Sequence, residues 1–181
     1  ALIRTFKVMD FKATFKIYVD GMKSMTDVAV TLVLAWSLGS MISGLGTASF
    51  IVDTMQRMQF SPVLVPAIIF LFGAFVSFAT GSSWGTFAIM MPLAIPMAHA
   101  FSIPYAIAAG AVLSGGLFGD HCSPISDTTI LSSTGAECEL VEHVKTQLPY
   151  AVVNGVIAFA CYILVGFTYS PLVVLLAVAL Q

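Results

Sequence analysis

Charged residues are scarce in this sequence. Asp, Glu, Lys and Arg make up only 9% of the 181 residues, whereas hydrophobic residues make up 59%. An average soluble domain carries about 25% charged residues, so this composition excludes a soluble globular protein. The segment between Arg57 and Asp120 contains no Asp, Glu, Lys or Arg at all. A helix needs about 20 apolar residues to cross a bilayer, and the sequence therefore predicts an integral membrane protein.

The sequence also lacks an excess of positive charge and a set of paired cysteines. Seven Lys and Arg stand against nine Asp and Glu. We expect no nucleic-acid partner, because nucleic-acid binding needs a basic surface. Cys122, Cys138 and Cys161 form no CxxC motif and are odd in number, which argues against a disulfide scaffold. Together with His121 and His143 they match no zinc spacing, and we expect no bound cofactor.

The ends of the sequence suggest part of a longer protein. The first residue is not Met, and the apolar run that follows Pro171 is too short to cross a bilayer. We therefore expect a piece of a larger membrane protein.

Residues 1–26 are predicted to form an amphipathic helix at the membrane interface. Phe11, Phe15, Tyr18 and Met22 repeat at helical spacing, and five of the seven basic residues lie among the first 23 positions. The basic cluster favours the cytoplasmic side of the membrane. A plain cytoplasmic linker helix has the same pattern, and both interpretations remain open.

Residues 27–181 are predicted to form an all-α membrane domain, a polytopic helical bundle with discontinuous or re-entrant helices. Proline and glycine divide its apolar stretches into full spans and shorter pieces. The predicted spans are 28–52, 62–80, 103–119 and 149–169, the broken segments are 80–98 and 119–136, and a surface helix covers 137–148.

Two polar interruptions between the apolar pieces are the most informative feature of the sequence. The first is GSSWGT, which follows Thr80, and the second is DHCSPISDTT, which follows Gly119. Irregular backbone at membrane depth is tolerated only where it is buried in protein or lines a polar cavity. Paired interruptions of this kind indicate a transporter site near the middle of the membrane.

Asp120 and Asp127, in the second interruption, are the strongest candidates for function. Ionisable residues within membrane segments are costly and are functional candidates by default. Hard cations prefer oxygen ligands, so we predict that a transported cation binds Asp127, as first choice, or Asp120. The candidate hydroxyl ligands are Ser123, Ser126, Thr128 and Thr129 in the second interruption and Ser82, Ser83 and Thr86 in the first.

Structural roles for these residues remain open. The two carboxylates could form a turn and a helix cap at the membrane surface, because Asp is a favoured cap residue. The hydroxyls of the first interruption could satisfy the backbone at a helix end. An intramembrane hydrolase is a remote alternative: Asp120 in GLFGD resembles the GxGD motif of membrane aspartyl proteases, and GSSWG loosely resembles a serine-protease loop. No second Asp or paired His lies in mid-span to complete either site.

Four longer motifs resemble the NhaC-type sodium/proton antiporter family. They are LVLAWSLGS with the following LGTA, SFATGSSWGTFAIMMPLAIP, GDHCSPISDTTILSSTGA and HVKTQLPYA, and they cover most of residues 20–152. The resemblance implies the C-terminal half of an inverted-repeat transporter, with cation sites at the broken helices. It also implies a partner N-terminal half of the same protein. Relatives that exchange malate and lactate leave the transported solute open.

We therefore predict a multi-pass protein of the plasma or inner membrane that exchanges sodium for protons and is not an enzyme. One carboxylate binds either cation, never both. Its expected partners are the lipid bilayer, sodium ions, protons and the N-terminal half, with a homo-oligomer as a further candidate. Sodium-coupled exchange of malate and lactate is the alternative function.

Overall fold

The computed structural model describes residues 10–170, 172, 173 and 179, and in these residues all regular structure is helical. The predicted all-α class is confirmed. A short 3-10 helix, Pro62–Leu64, leads directly into the third α-helix. The α-helices are α1 (Phe11–Gly44), α2 (Thr47–Arg57), α3 (Val65–Thr80), α4 (Ser83–Ala100), α5 (Tyr105–Cys122), α6 (Asp127–Gly135) and α7 (Leu140–Thr168).

Helix α5 lies at the centre of the bundle and packs against α3, α4 and α7. Phe70 of α3, Met90 of α4 and Val112 of α5 belong to one buried apolar cluster. The contact between α3 and α5 is close because α5 carries small residues on this side. A Cβ atom on Gly119 would overlap the carbonyl oxygen of Ala74. Such small-residue contacts are typical of helix pairs in membranes, where packing replaces the hydrophobic effect.

Two helical stretches among the described residues are long and apolar enough to cross a membrane, Pro62–Thr80 and Leu140–Thr168. They correspond to the predicted spans 62–80 and 149–169. No further helical stretch of the described residues meets this criterion, and the predicted spans 28–52 and 103–119 stay predictions.

The N-terminal boundary differs from the prediction. Helix α1 runs without interruption through residue 26, so the amphipathic stretch continues the first predicted span and is not a separate helix. A helix of 34 residues is about 51 Å long, and no proline interrupts this one. The helix ends at Gly44, not at 52, because two closely spaced glycines are poor helix formers. Residues 1–9 of the predicted amphipathic helix 1–26 lie outside the described residues.

Three other boundaries also differ. The predicted broken segment 80–98 contains an interruption only at its start, and α4 is a single helix that contains Pro92 and Pro96. The predicted surface helix 137–148 and the last span form one helix, α7, with Pro149 inside it. Proline is tolerated where neighbouring helices support the freed backbone groups. Helix α5 extends beyond 119, so Asp120 lies in its last turn.

Candidate functional site

The two interruptions predicted from the sequence meet in the structure. Gly81 ends α3 with φ of 66°, and its backbone lies against the backbone of Ile125, between α5 and α6. A Cβ atom at Gly81 would lie 2.7 Å from the carbonyl oxygen of Ile125, which is too close for a side chain. Glycine therefore serves two needs here, a left-handed backbone and a close approach.

Asp120 is the centre of a cluster of oxygen atoms in which Asp120 and Ser126 are buried and Thr128 is exposed. Its side chain lies in the last turn of α5, and the residue is only 3% exposed. The Ser126 hydroxyl donates to Oδ1 of Asp120 at 2.9 Å, and the Thr128 hydroxyl donates to Oδ2 at 2.8 Å. The two hydroxyl oxygens are themselves 2.7 Å apart. Three side chains therefore form a closed ring of hydrogen-bonded oxygens.

A tight turn between α5 and α6 builds this ring. The Ser123 N–H donates to the Asp120 carbonyl at 3.1 Å, and the Ser126 N–H donates to the Ser123 carbonyl at 3.3 Å. Ser126 is the N-cap of α6, since its hydroxyl also accepts from the Thr128 N–H at 3.2 Å. Pro124 follows the end of α5 and cannot continue that helix with a normal hydrogen bond. The short connection therefore brings Ser126 back over Asp120.

Thr129 adds a further buried hydroxyl at the start of α6. The residue is 2% exposed, and its Oγ1 has no hydrogen-bond partner among the described residues. Ser133, one turn later on α6, is also buried. An unpaired buried hydroxyl costs about 1–3 kcal/mol, which makes it a notable feature of a well-packed region. Its oxygen remains available to a ligand.

Asp127 lies at the first position of α6 and is exposed. Helix α6 turns Thr129 and Ser133 inward, and Asp127, two residues before Thr129, lies on another side of the helix. Of the two predicted carboxylates, only Asp120 is buried and surrounded by hydroxyls. The structure thus favours Asp120, which the sequence analysis ranks second.

The hydroxyls of the first interruption mainly support the start of α4. Ser82 is the N-cap and accepts from the Gly85 N–H at 3.3 Å. The Thr86 hydroxyl donates to the Ser82 carbonyl at 2.8 Å, and Ser83 is buried. Within the described residues, no hydrogen bond joins these three side chains to Asp120. The structure brings the two interruptions together through the backbone of Gly81.

Ser77 is a buried residue at this site that the sequence analysis does not single out. Its hydroxyl donates to the Gly116 carbonyl at 2.6 Å, and its own carbonyl accepts from the Gly81 N–H at 2.8 Å. Ser77 therefore fastens the end of α3 to the last turns of α5. Ser77 lies within an apolar span, and the only sequence feature that could have pointed to it is its position one turn before Gly81.

The charge of Asp120 has no cationic side chain beside it in the described residues. The two ion pairs found there, Lys23–Asp20 and Lys145–Glu142, are both exposed, and neither involves Asp120. No group of three His, Cys, Asp or Glu side chains in the described part could hold a metal ion. The oxygen atoms around Asp120 suit a hard cation better than a transition metal.

Comparisons with known proteins agree on one family. The model of the Na+/H+ antiporter family matches residues 2–167. An uncharacterized protein of Haemophilus influenzae is 44% identical over 160 residues, which are 86% of this chain and 30% of that protein. The malate-2H(+)/Na(+)-lactate antiporter of Bacillus subtilis is 32% identical over 153 residues, 84% of this chain and 32% of that protein. No solved structure matches the chain.

Relatives of the NhaC type are also present. The Na(+)/H(+) antiporter NhaC of Bacillus subtilis is 29% identical over 162 residues, which are 88% of this chain and 35% of that protein. The chain thus spans about a third of the length of the curated relatives it matches. The family consists of transporters and not of enzymes, which removes the hydrolase alternative. This all-helical membrane chain, which the family model matches over residues 2–167, therefore belongs to the Na+/H+ antiporter family, of the NhaC type.

Proposed function

We propose that this chain carries the cation site of a sodium/proton antiporter and that Asp120 binds either a proton or a sodium ion. One observation carries the proposal: Asp120 is 3% exposed, with hydroxyl partners but no cationic side chain in the described residues. A buried carboxylate without a positive partner is costly, and the cost falls when a cation binds. A mobile proton or sodium ion can supply that positive charge.

The number of protons in the oxygen ring supports a proton-loaded state. The ring contains three short oxygen contacts, between Ser126 and Asp120, Thr128 and Asp120, and Ser126 and Thr128. The two hydroxyls supply only two protons, because each hydroxyl donates once. A proton on Asp120 supplies the third: one hydroxyl then accepts from the carboxyl group and donates to the other hydroxyl, so that every contact becomes a hydrogen bond. The observed spacing therefore suits a protonated carboxyl group.

The same oxygens suit a sodium ion when the proton leaves. A hydroxyl has two acceptor positions besides its single proton, so rotation about its C–O bond exposes an oxygen lone pair to a cation. Asp120, Ser126 and Thr128 would be ligands, and the unpaired oxygen of Thr129, the next residue along α6, is a further candidate. Backbone carbonyls of the turn that contains Ser123 complete the candidate set. Sodium and the proton compete because they use the same carboxylate oxygens.

The other predicted residues receive lesser roles in this proposal. Asp127 is an exposed carboxylate that attracts cations towards the buried site and does not replace Asp120. Ser82 and Thr86 support the start of α4, which keeps the first interruption in place. Ser83 remains a candidate ligand from that interruption, since it is buried.

Transport itself requires the whole protein. We propose that this part works in the plasma or inner membrane together with an N-terminal half of inverted topology. Movement of the two halves would then expose Asp120 to one side of the membrane at a time. Assembly into a homo-oligomer remains a further proposal.

Sodium-coupled exchange of organic anions is the second candidate function. It is favoured by the 32% identical relative that is named a malate-2H(+)/Na(+)-lactate antiporter. In this case Asp120 would still bind the cation, and the anion would bind elsewhere in the complete transporter.

The full-length protein in proteoliposomes, with an internal pH dye, separates these functions. Sodium, lithium, or sodium with malate is added against an imposed pH gradient. Antiport predicts that sodium alone collapses the gradient in the wild type and not in Asp120→Asn. A response that requires malate would favour the anion exchanger. Sodium-driven proton flux that persists in Asp120→Asn would contradict the role of this carboxylate.

A further inference from the structure

We infer that Gly81 positions the cation site through its contact with the Ile125 backbone, although Gly81 supplies no ligand itself. The inference rests on the proposed sodium site at Asp120. Gly81 belongs to the first interruption, and Asp120, Ser126 and Thr128 belong to the second. The contact is therefore the direct structural link between the two interruptions.

The contact leaves no room for a side chain. A Cβ atom at Gly81 would lie 2.7 Å from the Ile125 carbonyl oxygen and 2.9 Å from both its carbonyl carbon and its Cγ1. Ordinary van der Waals contacts of a Cβ atom lie at 3.4–4 Å. Two of these three atoms belong to the backbone, so rotation of the Ile125 side chain cannot relieve the overlap. Either α3 or the turn that contains Ile125 must move.

The end of α3 is anchored to α5, the helix that carries Asp120. The Gly81 N–H donates to the Ser77 carbonyl, and the Ser77 hydroxyl donates to the Gly116 carbonyl on α5. Asp120 lies one turn after Gly116 on the same helix. Gly81 and Asp120 are thereby joined through α5, and we infer that the displacement falls on the turn 123–126.

Displacement of this turn moves a ligand. Ile125 directly precedes Ser126, whose hydroxyl lies 2.9 Å from Asp120 Oδ1. The Ile125 N–H also donates to the Ser123 hydroxyl at 3.4 Å, close to the limit of a hydrogen bond. A shift of several tenths of an ångström at Ile125 therefore separates Ser126 from Asp120. Ligand geometry at the proposed site depends on the absence of a side chain at Gly81.

The test uses the full-length protein and measures the apparent sodium constant, the concentration that gives half of the maximal proton flux. Gly81→Ala is expected to raise this constant about tenfold or more, because misplacement of reacting groups by about 1 Å can cost a factor of about 100. The maximal rate should change much less. Gly85→Ala is the matched control, since a Cβ there meets only Ser82 atoms, at 3.5 Å and beyond, and its constant should match the wild type.

A third substitution at Gly81 distinguishes the effect of the added Cβ atom from the effect of the left-handed backbone conformation. Asn adopts the left-handed backbone more readily than Ala, but it still carries a Cβ atom. Gly81→Asn should therefore be as impaired as Gly81→Ala. Recovery of the wild-type constant in Gly81→Asn would overturn the inference, because glycine would then be needed only for its φ angle.

A further variant keeps the inference testable if substitutions at Gly81 prevent folding. Ile125→Gly leaves Gly81 intact, frees the turn and is expected to raise the apparent sodium constant in a folded protein. Unchanged sodium constants in Gly81→Ala or in Ile125→Gly would overturn the inference, provided that the wild type responds to sodium. A folded wild type that shows no sodium response would instead overturn the proposed function.

Discussion

The hydroxyl of Ser126 donates to the carboxyl group of Asp120 and at the same time caps helix α6. Its Oγ lies 2.9 Å from Asp120 Oδ1 and accepts from the Thr128 N–H at 3.2 Å. A single side chain therefore connects the buried carboxyl group to the start of the following helix. We therefore expect a change in the charge or ligands of Asp120 to affect the start of α6.

Asp120→Asn should abolish sodium-driven proton exchange without loss of folding. Asparagine has a similar shape but carries no negative charge to bind a proton or sodium ion. Asp127→Asn is the matched control, because Asp127 is exposed and belongs to the same segment. We expect it to retain exchange. Proton flux in proteoliposomes measures both variants, and loss of exchange only in Asp127→Asn would contradict the choice of Asp120.

Ser126→Ala should raise the apparent sodium constant and also lower stability. Loss of a hydrogen bond to a charged group costs about 1.5–3 kcal/mol, which corresponds to roughly 10- to 150-fold in the constant. Loss of an N-cap costs about 1 kcal/mol of stability. Ser132→Ala is the control, since Ser132 is an exposed serine on the same helix. If the melting temperature falls while the sodium constant is unchanged, Ser126 is only a cap.

Thr129→Val should have opposite effects on stability and on sodium binding. Valine has the shape of threonine without the hydroxyl, which is buried and has no partner among the described residues. Its removal should raise the free energy of unfolding by about 1 kcal/mol. If the oxygen is a sodium ligand, the apparent sodium constant should rise. Thermal unfolding and proton flux test the two effects separately, and a more stable variant with an unchanged constant would exclude Thr129 as a ligand.

Gly119→Ala should weaken the packing of α5 against α3. The added Cβ would overlap the Ala74 carbonyl oxygen, and overpacking of this kind typically costs about 1–3 kcal/mol. Gly135→Ala is the control, because a Cβ there meets no atom within 4 Å. Thermal unfolding in detergent should show a lower melting temperature for Gly119→Ala alone. Equal melting temperatures for both variants would mean that the two helices can separate at little cost.

Acidification should raise the apparent sodium constant of the wild-type protein. The proton and the sodium ion use the same oxygens of Asp120 in the proposed mechanism, so a higher proton concentration displaces sodium. Proton flux measured at a series of sodium concentrations and two pH values tests this competition. A constant that is independent of pH, with only the maximal rate affected, would indicate separate sites for the two cations.

Much of the fold was predictable because local composition limits the choices in a membrane. Scarce charge indicated membrane helices, and glycine with proline indicated the interruptions near Gly81 and Pro124. Helix boundaries were less predictable, because continuity through Pro149 or past residue 26 depends on neighbouring helices as well as on local propensity. Packing against other helices outweighs a single unfavourable residue.

That these residues bind a cation stays a prediction, and which of the two carboxylates is buried depended on tertiary structure. Asp120 and Asp127 have the same chemistry and lie in the same short segment. The end of α5 and the direction of α6 decided which of them is buried. Ser77 carried no distinctive signal, because its importance comes from a carbonyl group on another helix.

The sequence by itself determined that this is a helical membrane protein with two polar interruptions, because apolar length and backbone-breaking residues act locally. Only the tertiary structure decided that Gly81 meets Ile125, that Asp120 is buried and bonded to two hydroxyls and that Asp127 is exposed. Burial and contact depend on how distant segments pack together, and neither is encoded at any single position of the chain.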